Sequence, residues 1–312
     1  MKLINDNIVI YYQRSVVILL SSKQLSVSFC TNMGTTRKIN QDNFYINGEI
    51  LRDPNRKQVS AKGNFSDGIF AIADGMGGES DGEFASLKAV EALDMLRGKK
   101  KASYEDICYC VDLANKEICE KISSTGRKSG TTIVLAVTDG KNMNIYNIGD
   151  SKCLLYSNGT LTQLSKDHTV TAQMVEAGLM TKEQAKSDSR SHQLFQHLGI
   201  FPDDMTLSLF RNEKITFSKN DILILCSDGM TDGLEDEDII NHIKANRSFS
   251  ELSKELVASA IKKGSKDNVS VLAIKKTGSK GSEFGSALYI AACIGAAALG
   301  AAAGFLASGI SG

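Results

Sequence analysis

The stretch "IFAIADGMGGES" (residues 69–80) predicts a buried strand that runs into a carboxylate and then into glycines. Asp74 follows the apolar run directly, and three glycines stand within the next four positions. Such a strand end is typical either of a plain turn or of a ligand site, because glycine accepts turn dihedral angles and also leaves space beside the backbone. Taken alone, the Asp-Gly pair favours the turn.

Four further aspartates repeat this arrangement elsewhere in the chain. Asp150 in "NIYNIGDS" and Asp228 in "ILILCSDG" each end a strand-like run. Asp42 in "TRKINQDNFYI" and Asp267 in "KKGSKDNVSV" each stand just before such a run. If folding gathers these strand ends at one edge of the sheets, the four carboxylates join that of Asp74 in a single site.

Crowded carboxylates predict a site for hard divalent cations. Two like charges ~4 Å apart repel by about 4 kcal/mol at an effective dielectric constant near 20, so several together cost on the order of 10 kcal/mol unless they take up protons. Bound divalent cations remove that repulsion, and oxygen ligands without nearby histidine or cysteine favour Mg²⁺ or Mn²⁺. Gly75 can then offer a backbone carbonyl to a metal, while Gly77 and Gly78 leave room for hydrated ions and substrate.

The overall composition argues against nucleic acid as a partner and against a zinc site. The chain has 312 residues with 36 basic and 36 acidic side chains, and it has no long basic run that could follow a phosphate backbone. Its seven cysteines form no CxxC pair, and most of them stand among apolar neighbours. We therefore expect buried free thiols in a protein of a reducing compartment.

Runs rich in β-branched residues predict a mostly antiparallel β structure. They are found at residues 26–30, 68–74, 131–137, 142–150, 152–157, 221–228 and 268–275. Short turns join consecutive runs, which favours antiparallel pairing, and Asn158-Gly159 is typical of a tight hairpin. Helical periodicity is found at residues 83–98, 103–123, 170–178, 236–246 and 250–264. This content predicts an α+β layered sandwich with helices on the outer faces of the sheets.

Two finer predictions concern the first helix and a basic segment that precedes it. In the first helix, the apolar stripe is expected to consist of Phe84, Leu87, Val90 and Leu93 with the neighbouring Ala89 and Leu96. The segment "RDPNRKQVSAKGN" (residues 52–64) carries four basic residues and could meet acidic phosphosubstrates. It is better explained as a solvated hairpin insertion.

Changes in composition divide the chain into four parts. Residues 1–26 hold two short apolar runs and form an N-terminal extension, expected to be either a weakly specified leader or an added edge strand, to which the sequence assigns no role. Residues 27–276 form the main domain, and residues 277–285 form a short linker. The last part, residues 286–310, has no charged side chain and is rich in alanine.

The uncharged C-terminal part predicts a membrane anchor. As a helix at roughly 1.5 Å per residue it would span about 38 Å, more than the roughly 30 Å of a bilayer core. Lys275, Lys276 and Lys280 precede it and no basic residue follows, so the positive-inside bias leaves the main domain in the cytoplasm. We therefore expect a single-pass C-terminal helix in the cell membrane. The alternative is a flexible Ala/Gly tail, since alanine drives insertion only weakly.

Seven short motifs occur in order along the main domain. They are "RKINQD" (37–42), "DGMGG" (74–78), "SGTT" (129–132), "GDS" (149–151), "KDHT" (166–169), "SDG" (227–229) and "KDN" (266–268). Each is weak by itself, but in this order the set resembles the metal-dependent serine/threonine protein phosphatases of the PP2C (PPM) type, bacterial branch. The resemblance implies two central antiparallel β-sheets in a sandwich flanked by helical pairs, with a metal site in a cleft at one end.

The resemblance also implies metal-binding roles for individual residues. Asp74 corresponds to the carboxylate that bridges two metals, and Gly75 corresponds to the carbonyl ligand of one of them. Asp228 and Asp267 correspond to ligands of the second metal. Asp150 corresponds to a ligand of the third, weaker metal of bacterial members.

Two further residues correspond to catalytic positions of the family. Asp42 resembles the residue that orients metal-bound waters. Arg37 resembles the substrate-phosphate clamp, and its planar fork suits that role because it bonds two phosphate oxygens at once. In the implied chemistry, a water shared by two cations about 3.5–4 Å apart loses a proton near neutral pH and attacks phosphorus in line. The cations and Arg37 neutralise the oxygens of the transferred group.

The motifs depart from the family pattern at two positions. Gln41 stands where many relatives carry Glu, so an amide replaces a water-mediated acidic contact. Met76 stands where animal relatives have a His proposed as a general acid, and bacterial members share this Met. Protonation of the leaving group must then come from a metal-bound water or from another group.

Other positions in the motifs have more ordinary interpretations. Residues 129–132 are expected to form a turn and the start of a buried strand, and His168 is expected to be a hydrogen-bonded structural residue. Residues 169–204 resemble the family's flap beside the cleft. Ser191 and His192 fall near the position of a third-metal contact, but the local match is off by one residue and neither is assigned a role.

These observations predict a Mn²⁺- or Mg²⁺-dependent phosphatase that removes phosphate from serine and threonine of cytoplasmic proteins. The resemblance suggests membrane-bound serine/threonine kinases and their substrates as partners. Two alternatives are a catalytically silent phosphoprotein-binding module and a metallohydrolase of small phosphate esters. A silent module should have lost metal ligands, whereas each expected aspartate is present here. A small-ester hydrolase should have a deeper pocket.

Overall fold

The computed structural model describes residues 24–77, 81–99, 101–246 and 248–277, together with the backbone of the short strands Lys2–Leu3, Ile8–Tyr11, Ser15–Ile18 and Tyr289–Cys293. Two antiparallel β-sheets pack face to face in this part of the chain, and helices cover their outer faces. The predicted α+β sandwich with α-β-β-α layers is therefore confirmed.

The first sheet has ten strands, and every neighbouring pair is antiparallel. In spatial order they are β1 (Lys2–Leu3), β2 (Ile8–Tyr11), β3 (Ser15–Ile18), β16 (Tyr289–Cys293), β6 (Gln58–Phe65), β4 (Leu25–Asn32), β15 (Val269–Lys276), β14 (Ile222–Cys226), β11 (Lys152–Ser157) and β12 (Thr160–Gln163). Asn158 and Gly159 join β11 to β12 with φ values of 51° and 88°. The predicted hairpin is confirmed, because both turn residues take the positive φ that such a tight turn requires.

The second sheet is smaller and is also antiparallel throughout. In spatial order its strands are β13 (Phe210–Thr216), β10 (Asn142–Ile148), β9 (Ile133–Thr138), β7 (Gly68–Met76) and β5 (Asp42–Ile46), with β8 (Gly130–Thr131) paired to the end of β7. The central strands are apolar on both faces because the other sheet covers one face and helices cover the other.

Seven α-helices complete the described part of the chain. The second sheet is covered by α1 (Gly82–Ala92) and α2 (Tyr104–Thr125), and the first sheet is covered by α5 (Asp228–Gly233), α6 (Asp236–Ala245) and α7 (Leu252–Lys262). The segment that resembles a flap contains α3 (Val170–Glu176) and α4 (Lys182–Ser187). Short 3-10 turns are found at Leu93–Leu96 and Phe249–Glu251.

Aromatic and aliphatic side chains fill the space between the sheets. Phe29 of β4 contacts Phe44 of β5 with ring centroids 4.1 Å apart, and both side chains are fully buried. The thiols also agree with expectation, since the buried free cysteines are Cys30, Cys110, Cys119, Cys153 and Cys226. Apolar burial of this kind is the main source of stability for such a sandwich.

The buried face of α1 differs in part from the predicted apolar stripe. Phe84 and Leu87 are only partly buried. The residues that face the second sheet are small ones, Ala85, Ser86 and Ala89. Small residues are needed because α1 begins directly against β7, where a Cβ added at Gly75 would lie 2.1 Å from the carbonyl oxygen of Gly82. The predicted stripe is confirmed at Ala89, Val90, Leu93 and Leu96, which are buried, and Leu87 packs against the same cluster from a partly buried position. It is wrong at Phe84, since hydrophobic periodicity does not report how closely two backbones approach.

A strand occupies the segment that was expected to be a solvated hairpin insertion. β6 pairs with β4 along its whole length, from Leu25 opposite Phe65 to Asn32 opposite Gln58. Val59 and Ala61 of β6 are buried in the core between the sheets. The expectation is wrong for β6 because its small apolar residues alternate with polar ones, a pattern that also fits a half-buried strand.

The strands β4 and β15 pair over their full length, and Leu25 lies opposite Lys276. The two strands lie side by side in the interior of the first sheet, although they come from opposite ends of the predicted main domain. On the N-terminal side, residues 1–26 contribute the backbone of β1, β2 and β3 and the start of β4.

The predicted C-terminal helix differs from the structure over five residues. Tyr289–Cys293 is a strand that pairs with β6 on one side and with β3 on the other. A strand forms there because the edge of β6 presents backbone N–H and C=O groups that another strand can satisfy. The other residues of 286–310 lie outside the described residues. Among the residues that the structure describes, no helix has the length and apolar character needed to cross a bilayer.

Candidate active site

Both sheets contribute aspartates to the same site. Asp42 is the first residue of β5 and lies directly opposite Asp74 of β7 in the antiparallel register. Asp228 begins α5 just after β14, and Asp267 stands two residues before β15. Asp150 stands two residues after β10. The ends of strands from two packed sheets thus supply all of these side chains.

Asp74 lies at the electrostatic centre of the group. Burial raises the pKa of Asp74 well above its usual range, and the charges of Asp42, Asp228, Asp150 and Asp267 raise it further. The structure therefore brings together the five aspartates that were selected from the sequence. Their mutual repulsion is the effect that the sequence predicted.

Asp42 is held through one of its two carboxylate oxygens. Oδ2 accepts hydrogen bonds from the hydroxyls of Ser270 at 2.6 Å and Ser227 at 2.9 Å. Oδ1 is buried and accepts no hydrogen bond. Burial raises the pKa of Asp42 to about 7, although both serine hydrogen bonds oppose that shift.

Asp228 stands between the core of the site and the flap. Its Oδ2 lies 3.5 Å from Nδ1 of His192, while its Oδ1 is buried and accepts no hydrogen bond. Burial acts to raise the pKa of Asp228, but hydrogen bonds with His192 and Asp74 outweigh it, and the pKa lies below its usual value.

Asp150, His192 and Asp228 form a second group next to the first. One possible ligand atom from each of the three lies within 4.8 Å of the others. The hydrogen bond to Asp228 raises the pKa of His192 to about 9. Burial, with the charge of Asp228, raises the pKa of Asp150 to about 7. Two carboxylates and an imidazole at this separation can share one cation.

Arg37 forms a two-pronged ion pair with Asp267. Nε donates to Oδ1 at 2.9 Å and Nη2 donates to Oδ2 at 2.6 Å. This hydrogen-bonded pair raises the pKa of Arg37. The Arg37 side chain is 48% exposed, so the guanidinium is accessible from solvent beside the aspartates.

The motif "SGTT" holds the main chain of Asp74. The amide of Thr132 and the hydroxyl of Thr131 both donate to the Asp74 carbonyl oxygen at 2.9 Å. The Asp74 amide in turn donates to Oγ1 of Thr132 at 3.1 Å. These residues are a turn and a strand start, as expected, and they also fix the backbone that presents Asp74.

Several residues that position the site were not selected from the sequence. Asn268 donates to the carbonyl oxygens of Met33 and Ile39 at 3.0 and 3.1 Å, and its Oδ1 accepts from the Gln41 amide at 2.8 Å. Asn268 therefore ties the segment that carries Arg37 to the segment that carries Asp267. The sequence signal that could have identified Asn268 is its place in the motif "KDN" (266–268).

Asp232 is a further acidic residue that the sequence reasoning did not select. Burial raises the pKa of Asp232 to about 6, and the charge of Asp228 raises it further. Its spacing of four residues from Asp228 places both on one face of a helix, which is a signal that the sequence contains.

Two other motif residues, His168 and Gln41, have clear environments. His168 is buried, accepts a hydrogen bond from the Gly149 amide at 3.1 Å, and lies 2.9 Å from Nε2 of Gln196. Burial lowers the pKa of His168 to about 4, which fits the structural role expected for it. Nε2 of Gln41 lies 3.5 Å from a carboxylate oxygen of Glu83, so an acidic group is present next to this amide.

The donor set fits hard divalent cations. Asp42 and Asp228 each keep one buried carboxylate oxygen without a hydrogen bond, which is an arrangement that a metal or a metal-bound water can satisfy. The neighbouring Gly75 lies too close to backbone atoms for a side chain, with an added Cβ 2.6 Å from the Gln41 carbonyl oxygen. Oxygen donors of this kind suit Mg²⁺ and Mn²⁺.

Comparison with known families gives a match over most of this domain. The family model described as Protein phosphatase 2C matches residues 31–174 and 211–269. These ranges include Arg37, Gly75 and all five aspartates of the site. The unmatched residues between them, 175–210, belong mostly to the flap segment.

Curated bacterial proteins are similar to the chain over about the same region. Serine/threonine phosphatase stp of Listeria welshimeri is 28% identical, and the alignment covers 81% of this chain and 96% of that protein. Protein phosphatase PhpP of Streptococcus pneumoniae is 28% identical, with 79% of this chain and 96% of that protein covered. Serine/threonine protein phosphatase PstP of Mycobacterium tuberculosis is 28% identical over 78% of this chain and 43% of its own length.

Solved structures share the fold. The serine/threonine phosphatase PstP/Ppp of Mycobacterium tuberculosis superposes with a TM-score of 0.68 at 26% identity, and 82% of this chain and 100% of that chain are covered. The catalytic domain of PstP in complex with two manganese ions superposes with a TM-score of 0.64 at 25% identity, covering 81% and 100% of the two chains. The sandwich and its strand-end aspartates are thus set in a fold that is known from experiment.

Proposed function

This chain belongs to the protein phosphatase 2C family and is a serine/threonine protein phosphatase; from that premise we propose that it hydrolyses phosphoserine and phosphothreonine on cytoplasmic proteins with two Mn²⁺ or Mg²⁺ ions. The observation that carries this proposal is the convergence of five aspartates, two of which keep a buried oxygen without a hydrogen bond. Such a site is electrostatically unfavourable unless cations or protons neutralise it.

Asp74, Asp228, Asp267 and the carbonyl of Gly75 are the residues that would hold the two ions. When bound, the ions supply a water activated as a nucleophile and neutralise charge on the transferred phosphoryl group. Asp42 keeps one carboxylate oxygen as an acceptor that can orient water in the site. Arg37 binds the phosphate through its planar fork, which places phosphorus beside the aspartates.

Arg37→Lys is expected to raise the KM for a phosphothreonine peptide about tenfold, because lysine keeps the charge but loses one charge-assisted hydrogen bond worth about 1.5 kcal/mol. Steady-state kinetics on the peptide measure this change. Arg56→Lys is a matched control, since Arg56 pairs with Asp53 at 3.0 Å outside the site. An equal KM in both variants and the native protein would argue against phosphate binding by Arg37.

Asp150, His192 and Asp228 are the residues that would hold a third, weaker ion. The proposal is supported by their mutual distances and by the mixed oxygen and nitrogen donors that they offer. Because His192 would not be a ligand of the two core ions, substitution of His192 should weaken binding of the third ion alone.

His192→Ala is expected to weaken the weakest Mn²⁺ site by at least about tenfold while the tighter sites keep their affinity. Titration of the metal-free protein with Mn²⁺, followed by electron paramagnetic resonance, measures free and bound ion. Ser191→Ala serves as the control from the adjacent position. Identical titration curves for His192→Ala and native protein would remove His192 from the proposed site.

Phosphate release from phosphoserine and phosphothreonine peptides, with and without Mn²⁺, tests the proposed function. We expect turnover of both peptides that needs the metal and that exceeds turnover of small phosphate esters. Binding of peptides without turnover would indicate a silent binding module, and faster turnover of small esters would indicate a hydrolase of small molecules. Serine/threonine kinases and their substrates are the proposed partners, because they supply the phosphorylated side chains.

Membrane tethering by residues 286–310 is the part of the proposal that concerns location. It is supported by the lack of charge in this segment and by the lysines that precede it. A membrane anchor at residues 286–310 is incompatible with the pairing of Tyr289–Cys293 with β6, because a segment cannot at once be a strand of this sheet and span a bilayer.

Fractionation of cells that express the full chain decides between these placements. We expect the protein in the membrane fraction and its release by detergent but not by high salt. A variant that carries three lysines in place of Ala297, Leu299 and Ala302 is expected to leave the membrane fraction, because charged side chains oppose insertion. Salt release of the native protein without detergent would remove the anchor from the proposal.

A further inference from the structure

Two buried serine hydroxyls bind the same oxygen of Asp42. Ser270 and Ser227 both donate to Oδ2, at 2.6 and 2.9 Å. No more than 1% of any of the three residues is exposed. The other oxygen, Oδ1, is also buried and accepts no hydrogen bond. Asp42 is therefore held through Oδ2, and its Oδ1 remains available as an acceptor.

The serines come from the opposite sheet. Ser227 follows β14 and Ser270 lies in β15, whereas Asp42 begins β5 of the second sheet. Oγ of Ser227 also accepts a hydrogen bond from the Ser270 amide at 3.0 Å. The Ser227 oxygen is thus the acceptor for a backbone N–H, and its single proton is donated to Asp42.

The Ser270 hydroxyl has its own support. It lies 2.7 Å from Oγ1 of Thr31, which accepts from Nδ2 of Asn40 at 2.7 Å. The single proton of Ser270 thus has two acceptors within reach, and the carboxylate is the stronger one, so Ser270 donates to Asp42. Oδ1 of Asn40 accepts from the Asp42 amide at 3.2 Å. The network thus fixes both the main chain and the side chain of Asp42.

We propose that Ser227 and Ser270 are positioning residues that fix the carboxylate of Asp42, so that its second oxygen is presented to the metal ions and water of the site. This inference rests on the proposed two-ion function. Removing either hydroxyl frees the carboxylate to rotate and leaves part of a buried acceptor unsatisfied. Loss of such an outer partner typically weakens metal binding by about 10- to 100-fold.

Calorimetric titration of the full chain with Mn²⁺, without substrate, tests the inference. Ser227→Ala and Ser270→Val are each expected to raise the Kd for Mn²⁺ about tenfold. Ser270→Thr is expected to bind as the native protein does, because it has the shape of valine but keeps the hydroxyl. Ser253→Ala is the matched control, since Ser253 is fully buried and its hydroxyl donates to the Ser28 carbonyl oxygen at 2.8 Å, in contact with none of the aspartates of the site.

Three results would overturn the inference. The first is native affinity for Mn²⁺ in both Ser227→Ala and Ser270→Val. The second is an equal loss of affinity in Ser253→Ala, which would make the effect a general one of buried hydroxyls. The third is a Ser270→Val protein that does not fold while Ser270→Thr folds, which would assign the hydroxyl to folding. Peptide hydrolysis is measured separately, so its absence in the native protein would count against the proposed function and not against this metal-binding test.

Discussion

Asp74→Asn is expected to reduce Mn²⁺-dependent hydrolysis of a phosphothreonine peptide by about 1,000-fold or more, because electrostatic stabilisation is the largest contribution to such catalysis. Asp74 lies opposite Asp42 where β5 and β7 pair, and the proposed function makes it a ligand of both ions. Asparagine keeps the shape of the side chain but loses the charge. Steady-state assays with saturating peptide and a series of Mn²⁺ concentrations measure the loss.

The same substitution is expected to raise the thermal stability of the protein in EDTA by a few degrees, since it removes a carboxyl group that, without metal, must either stay charged beside the others or take up a proton on folding. Asp228→Asn should lose activity to a similar extent. Asp112→Asn is the control, because Asp112 is exposed on α2 away from the site. Full activity in Asp74→Asn or Asp228→Asn would contradict the proposed roles of these residues.

Gly75→Ala is expected to lower the free energy of unfolding by about 3 kcal/mol or more, at the upper end of what overpacking costs. The Cβ of the alanine would lie 2.1 Å from the Gly82 carbonyl oxygen and 2.6 Å from the Gln41 carbonyl oxygen. Both are backbone atoms, so no change of side-chain rotamer relieves the clash. Either α1 or β5 must then move away from β7. For a domain of this size, that loss corresponds to a fall in melting temperature of roughly 6–12 °C, measured by differential scanning calorimetry.

Gly178→Ala is the matched control for this change. Gly178 has a φ of 72° but an added Cβ meets nothing within 4 Å, so only backbone strain of about 1 kcal/mol is expected. β5 carries Asp42, and α1 contacts the neighbouring Gln41 carbonyl oxygen through the Ser86 hydroxyl at 2.5 Å. Because a shift of either element disturbs Asp42, Gly75→Ala should lose Mn²⁺ binding as well. A Gly75→Ala protein with native stability and native metal binding would show that the backbones do not approach this closely.

The central strands could be predicted from the sequence because each is a run of apolar and β-branched residues between turn signals. The hairpin at Asn158 and Gly159 could be predicted for the same local reason, since its residues tolerate positive φ. β6 could not, because six of its eight residues are polar or small and its burial depends on pairing with β4, from which β5 separates it along the chain. Strands of this kind are defined by the partner that they pair with.

The aspartates of the site could be selected because each stands at a strand end, and strand ends can be recognised from the sequence without any interatomic distance. The partners of those aspartates could not. Ser227 and Ser270 are ordinary polar residues in the sequence, and only the packing of one sheet on the other places both hydroxyls on Asp42. His192 is a similar case, since its approach to Asp228 depends on how the flap returns to the domain.

Anomalous diffraction from crystals of the protein soaked in Mn²⁺ tests most directly whether folding assembles a cation site from these carboxylates. We predict two strong manganese peaks among Asp74, Asp228 and Asp267, both next to Asp74, and a weaker peak beside Asp150 and His192. Well-ordered crystals that bind manganese elsewhere, or show no peak among these aspartates, would contradict the two-ion phosphatase proposed for this chain.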